Sequence, residues 1–521
     1  MRVCLVRPPV VTAPLSLSYY GAVPDLGLAY VAAAARAAGH DVTVIDAPGA
    51  ALDRSRPLDT AVGRLAVQGL SVEEIVARVP EDVEVVGFGH MFLHEWDVLR
   101  ALIVAVKRAR PNALTVVGGE NATAYWEHML AECPELDVIV RGEGEAAFCE
   151  LLARRARGES LDDAPSVALR RHGRPVANLS RPRIDDLDAL PRPAWDLFPV
   201  DAYLRRGLGS GVDRGAAMPV LTSRGCPYRC TFCSSPQMWT TRYRRREPDD
   251  VVDEIAALQR RYGVRNVNIN DLTSLLTKAW ILEFCAAVKR RGLSITWQLP
   301  SGTRSEAVDA EAAQAMYEAG CRNFCYAPES GAPEELARIQ KRVKLPALRE
   351  SLQAAIEAGM VTQASIILGI PEQSDGELLE TWGFTLRMAL DGLHSLGVMV
   401  FAPYPGSALY TQLDAQGRIA HDDAYRYGSL LRAAVSGDSY RDGWSRRRLT
   451  TIQFAMLSTF YAAQYVRRPQ RVLESAMNLA RGREHTVLEK LVRTKLRSAF
   501  MRFTPGRLHQ PPQSTGMYSG S

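Results

Sequence analysis

The sequence predicts an α/β fold in three parts: an N-terminal doubly wound domain, a central partial (β/α) barrel of six units, and a mainly helical C-terminal region. Two series of short apolar runs, each alternating with amphipathic helical stretches, predict the first two parts. A long stretch of apolar, aromatic and basic residues without strand character, including "FAMLSTFYAAQYVRRPQRVL", predicts the third.

In chain order, "RVCLV", the helix "LGLAYVAAAARAAG", "DVTVID", "VEVVGFG", the helix "WDVLRALIVAVKRA", "LTVVGG", a further helix and "DVIVRG" build residues 1–155. Apolar runs of about 4–6 residues between helices of about 10–15 read as parallel strands covered on both faces. A ligand is expected beyond the C-terminal ends of such strands. Those ends carry Arg7-Pro8-Pro9, Gly87-Phe88-Gly89 and Gly118-Gly119-Glu120, small or polar residues that admit close backbone approach. Residues 156–215, rich in Pro and Asp, read as a linker packed on its neighbours. Residues 216–410 hold the second series, with strand-like runs "PVLTSRG", "NVNIND", "ITWQLPSG", "NFCYAPES", "QASIILGIPE" and "SLGVMVFAPYPGS". In barrels, chemistry sits on the loops after the strands. Residues 411–505 are read as helical and 506–521 as a disordered tail.

A hydrophobic content of 47% and a charged content of 23% are ordinary for a globular protein, so core size is not limiting. No apolar run is long enough to span a membrane, and the N-terminal run is too short for a signal peptide. Most of the nine cysteines are scattered in apolar or helical contexts, which argues for a reducing cytoplasm rather than a disulfide framework. Cys321 and Cys325 lie on a strand-like segment and read as core. Residues 441–510 hold fifteen Lys or Arg against four Asp or Glu, while the whole chain is only +5. This basic region is expected either as a solvated face or as a contact for phosphates, acidic lipid or an acidic partner.

The stretch "SRGCPYRCTFCSS" puts Cys226, Cys230 and Cys233 in one loop after the first barrel strand. A structural zinc site wants four ligands in close pairs, and the next cysteine and histidine, Cys285 and His394, are not so placed. A disulfide with a spare thiol is disfavoured by compartment, and the loop is too polar for core cysteines. Three thiolates suit an iron–sulfur cluster, leaving one iron open to an external ligand.

"GCPYRCTFCSS" resembles the signature of the radical S-adenosylmethionine (SAM) superfamily. The resemblance implies a [4Fe-4S] cluster on the three cysteines, with SAM chelated at the open iron and cleaved to a 5′-deoxyadenosyl radical. It also implies SAM contacts at Phe232 between the last two cysteines, Asp271 in "NIND", Glu329 in "PESG", and Ile367, Gly369 and Glu372 in "SIILGIPE". Ser365 departs from the family glycine at the start of that last motif. "PYPGS" (403–407) matches the family's sixth strand end.

The doubly wound (flavodoxin-like) domain placed before such a barrel resembles the cobalamin-binding radical SAM proteins. "GFGHM", "VVGGENAT", "VRGEGE" and "LDALPRPAWDLFP" fit that pattern, and the likeness covers about four-fifths of the chain. It implies cobalamin on the first domain, with Gly118, Gly119 and Thr123 near its nucleotide tail. The D-x-H-x-x-G loop that supplies a histidine to cobalt is absent. His90 and His94 follow the third strand and could approach the corrin, although loop histidines are more often surface residues.

The implied activity is methylation of an unactivated carbon of a small-molecule or lipid substrate, using methylcobalamin and the radical. Ring formation or oxidation with the same cofactors is the alternative. A methylthiotransferase acting on nucleic acid fits less well: its further cluster cysteines and RNA-binding module have no counterpart here, so no nucleic acid is expected. A non-catalytic cobalamin sensor would not need the cysteine loop. The expected partners are the substrate, an external flavodoxin- or ferredoxin-type electron donor and, through the basic C-terminal helices, a membrane surface. A cytoplasmic monomer is expected.

Overall fold

The computed structural model describes residues 1–13, 22–207, 210–304, 306–430 and 439–493. The tail expected to be disordered lies outside these residues.

Five parallel strands form the core of the first domain: Arg2–Arg7, Asp41–Asp46, Val85–Gly89, Leu114–Gly118 and Val138–Val140. The first lies between the second and the third. Chain order therefore reverses between Arg2–Arg7 and Val85–Gly89, and a ligand crevice opens at such a reversal. Alternate residues of Arg2–Arg7 feed opposite cores. Val3 and Leu5 join the helices Leu26–Ala37 and Gly144–Arg157, whereas Cys4 and Val6 join the helix Trp96–Ala109. Both faces are covered, which explains the uninterrupted apolar run.

The expected linker contributes more than packing. Its strands Val167–Arg171 and Arg174–Ala177 extend the first sheet antiparallel beside Val138–Val140. A separate antiparallel sheet, formed by Val10–Thr12, Ser55–Thr60 and Gly63–Gln68, was not expected at all. Its strand Ser55–Thr60 carries Pro57 and is polar, and it sits at the edge, the position where proline is tolerated.

The second domain contains six parallel strands in chain order: Ala217–Val220, Asn266–Ile269, Thr296–Thr303, Cys321–Glu329, Val361–Leu368 and Ser395–Val400. The first and last are not paired, so the barrel is open. Along Val361–Leu368, Thr362, Ala364, Ile366 and Leu368 are buried, while Gln363, Ser365 and Ile367 on the other face are only half-buried. Cys321 and Cys325 are buried, as expected of core residues.

The helix Arg446–Arg467 buries Leu449, Met456 and Phe460 against the barrel. Its Gln453 donates to the Val398 carbonyl of the last strand, and Gln464 donates to the His394 carbonyl. Amide side chains thus satisfy a sheet edge that lacks a neighbouring strand.

Candidate functional site

The cysteine loop is fixed at its base by a carboxylate. Asp271, at the end of the second barrel strand, accepts hydrogen bonds from the Thr222 amide (2.8 Å), the Thr222 hydroxyl and the Ser223 hydroxyl (2.6 Å). Burial raises its pKa to about 6 despite these donors. The resemblance placed Asp271 at SAM. In this structure its oxygens are already engaged in holding the strand that delivers the cysteines. Gly225 then turns the chain at φ +84°, and a Cβ there would lie 2.2 Å from the Arg242 carbonyl oxygen. No other residue meets both conditions.

Cys226, Cys230 and Cys233 are free and half-buried. Thr231 between them donates its amide to Ile339 (3.0 Å) and accepts from the Leu409 amide (2.9 Å), which ties the loop to the segments after the fourth and sixth barrel strands. Burial raises all three thiols, Cys230 to about 11. Cys230 senses the charges of Cys233 and Cys226, and Cys233 that of Cys226, yet no three His, Cys, Asp or Glu among the described residues are gathered tightly enough for a single metal ion. Three soft donors set around more space than one ion needs fit an iron–sulfur cluster, whose charge would hold them as thiolates.

Lys341 is the counter-charge that the sequence reading missed. It is buried beside Cys230 and donates to Glu329 Oε1 (3.1 Å). Glu329, expected at SAM, therefore lies near Cys230 as half of an ion pair. Glu329 and Glu372 both adopt φ +66°, a left-handed conformation uncommon for glutamate. Glu372 is exposed, without a hydrogen-bond partner among the described residues. Phe232 and Ile367 pack against one apolar cluster that also contains Ile339, Ile370 and Phe401. Gly369 donates its amide to Gln373 at the turn after the fifth strand.

A cavity of about 610 Å³ lies between the domains. Gly89, Gly118 and Gly119 line it from the first sheet, Ser301 and Gln363 from the barrel, and Met238 and Trp239 from the segment after the cysteines. The residues expected at SAM do not line it. At Gly119, φ is +121° and a Cβ would meet the His90 carbonyl oxygen at 2.4 Å. Thr123 is buried: its hydroxyl donates to Met238 Sδ (3.3 Å) and accepts from the Gly142 amide (2.9 Å). That hydroxyl is spent between the domains rather than offered to a nucleotide tail.

His90 is buried and His94 half-buried. His90 is 2% exposed and held by Asn121 (3.3 Å), with Nε2 unsatisfied; burial lowers its pKa to about 3 and that of His94 to about 4. Glu95 beside them lines the cavity, and burial raises its pKa to about 8, only partly countered by Arg7. Burial thus disfavours the charged forms of His90, His94 and Glu95 at the end of the third strand. Glycines at the strand ends and a roomy chamber suit a large amide-bearing macrocycle such as cobalamin.

Two contacts lock the cavity to the cysteine loop. Ser234, next to Cys233, donates to Glu120 (2.6 Å) in the Gly118-Gly119-Glu120 turn. Arg224, two residues before Cys226, pairs with Glu143 (3.2 Å) and Glu145 (2.5 Å) and lies over the rings of Tyr30 and Trp239. Arg183 reinforces the same hub through Glu143 (2.7 Å). "SRGC" and "VRGEGE" contain these residues, but nothing in either stretch names the other as partner.

Comparison with known proteins agrees with this geometry. The B12 binding domain model matches residues 13–152 and the Radical SAM superfamily model matches residues 220–384, together more than half of the chain. An uncharacterized methyltransferase of Pyrococcus horikoshii is 29% identical over 83% of this chain and 91% of its own length. An anaerobic magnesium-protoporphyrin IX monomethyl ester cyclase of Synechocystis is 28% identical over 72% of this chain and 70% of its own. Among solved structures, the radical S-adenosylmethionine methyltransferase TsrM from Kitasatospora setae, with cobalamin and a [4Fe-4S] cluster bound, has the same fold. Its TM-score is 0.62 at 19% identity, covering 80% of this chain and 78% of that one. The chain belongs to the proteins that join a B12-binding domain to a radical SAM domain.

Proposed function

We propose that the protein is a cobalamin-dependent radical SAM methyltransferase acting on an unactivated carbon of a small-molecule or lipid substrate. The observation that carries this reading is the chamber shared by the two domains, walled by the strand ends of the first sheet and by the barrel, directly beside the cysteine loop. When bound, the cluster with SAM supplies a hydrogen-abstracting radical and the corrin supplies a methyl group. A substrate between the two domains can meet both, and domain boundaries are where such chambers usually form.

The chain's own residues supply position. Cys226, Cys230 and Cys233 hold the cluster, and Lys341 with Glu329 faces its edge. Phe232, Ile367 and Gly369 form the apolar and backbone side for adenine, and Gly118 and Gly119 give the corrin a close shelf. The Arg224–Glu145 and Ser234–Glu120 contacts hold the cysteine segment against the first domain and would position the two cofactors relative to each other. An external flavodoxin- or ferredoxin-type donor supplies the electron.

The test is anaerobic reconstitution with iron, sulfide and hydroxocobalamin, followed by SAM and reductant. Methylation consumes SAM by two routes, so S-adenosylhomocysteine and 5′-deoxyadenosine should both appear. The cyclase relative favours ring closure as the second reading, and 5′-deoxyadenosine without S-adenosylhomocysteine would support it instead. Iron retained after all three cysteines are changed to Ala would overturn both.

A further inference from the structure

The helix Gln470–Ala480 is amphipathic in the wrong sense for a helix that closes a core. Three of its polar residues, Arg471, Ser475 and Asn478, face inward. Arg471 donates to the Gly392 carbonyl (2.9 Å), and Ser475 and Asn478 donate to Glu489 Oε1 at 2.8 Å and 3.1 Å. None of its residues is buried. Outward it presents Val472, Leu473, Ala476, Met477 and Ala480, all exposed, with Leu473 at 67%. Positions i, i+1, i+4, i+5 and i+8 form one continuous stripe.

The stripe has apolar neighbours and a basic rim. Val466, at 84% exposure, precedes the helix, and Leu390 is held at its start because Arg468 donates to the Leu390 carbonyl (2.9 Å). Arg467, Arg481 and Arg483 are exposed at the two ends, with Glu474 the single exposed acid within the helix. The sequence beyond adds Lys495, Arg497 and Arg502. A contiguous exposed apolar face rimmed by cations is costly in water and complementary to an anionic, amphipathic surface. No helix among the described residues is long and apolar enough to cross a membrane, so any such contact lies along the surface.

We propose that the outward face of helix Gln470–Ala480, with the arginines at its ends, docks the protein onto an anionic phospholipid surface. This goes beyond the proposed reaction and does not depend on it. Leu473 and Met477 enter the acyl boundary, while Arg467, Arg481 and Arg483 meet lipid phosphates. The contact weakens with salt, because charges at a surface are screened over about 10 Å at 0.1 M ionic strength.

Flotation of the full-length, cofactor-loaded protein tests this, using vesicles of phosphatidylcholine alone or with about one third phosphatidylglycerol. The protein should float with the anionic vesicles and stay down with phosphatidylcholine. The L473E/M477E variant should lose about tenfold or more in partitioning, and R481E/R483E should lose the salt-sensitive part. Unchanged circular dichroism, iron and corrin content keep each variant interpretable as folded. Failure to float, equal flotation on both vesicles, or undiminished flotation of L473E/M477E would overturn the proposal. A wild-type dimer made monomeric by L473E/M477E would assign the face to a second copy instead. Flotation only after removal of residues 494–521 would assign it to that segment.

Discussion

Arg224 joins the two domains at one buried charge, so its removal should be felt in both. Arg224→Met keeps a similar volume and takes the cation away. Glu143 retains Arg183 at 2.7 Å, but Glu145, with a side chain 7% exposed, has no other cation partner among the described residues. An uncompensated buried charge costs about 3–5 kcal/mol, and the surviving pair at Glu143 places this loss near the lower end, at about 3 kcal/mol. The lost cation–π contacts at 5.1 Å (Tyr30) and 5.7 Å (Trp239) add about 0.5–1 kcal/mol. At about 2–4 °C per kcal/mol for domains of this size, the thermal transition of the apo-protein should fall by roughly 7–16 °C. Adding Glu145→Gln removes the orphaned charge and should restore part of that loss, so the double variant should melt above Arg224→Met alone. Anaerobic thermal unfolding followed by circular dichroism, with iron retention measured alongside, reads the effect. A shift below about 2 °C, or a double variant no better than the single, would refute the claim that this buried charge holds the domains together.

Other outcomes follow from the same geometry. Gly119→Ala pushes a Cβ to 2.4 Å from the His90 carbonyl at φ +121°, so corrin affinity in an absorbance titration should weaken by about tenfold or more. Unchanged affinity would remove this shelf from the corrin site. Lys341→Met leaves Glu329 without its ion partner and removes a cation from beside Cys230. The cluster's midpoint potential should move negative and SAM binding should weaken; an unmoved potential would place Lys341 too far from the cluster to matter. Glu95 has a folded pKa of about 8 against an ordinary 4.5, so the folded state binds the proton more tightly than the unfolded chain. The advantage is complete below the unfolded value and is lost as pH rises to 8, up to about 5 kcal/mol in the apo-protein. Glu95→Gln should therefore flatten the stability curve between pH 5 and 8, and parallel curves for the two proteins would refute the buried assignment.

The strands and helices of both β/α series were legible because each carries its own period. "RVCLV" is apolar on both faces and lies between two cores, while the half-open face of Val361–Leu368 shows as Gln363 and Ser365. The three cysteines stand out equally well, since the residues proposed to hold the cluster are local in sequence. The small sheet containing Ser55–Thr60 was missed: its polar, proline-bearing strand has no apolar period to detect. Strands Val167–Arg171 and Arg174–Ala177 were read as linker because their sheet partner, Val138–Val140, is supplied from outside that segment.

The chemistry of the site divides the same way. Sequence alone determined that three cysteines sit in one loop after a barrel strand, beside a doubly wound domain with glycines at its strand ends. Only the tertiary structure decided that Asp271 and Thr123 are engaged in building the site. It alone brought Lys341 to Cys230, Arg224 to Glu145 and Ser234 to Glu120. Local spacing fixes a loop's ligands, but a buried charge is paired by whatever opposite charge the fold brings within reach. For Arg224 and Glu145 that partner lies 79 residues away along the chain.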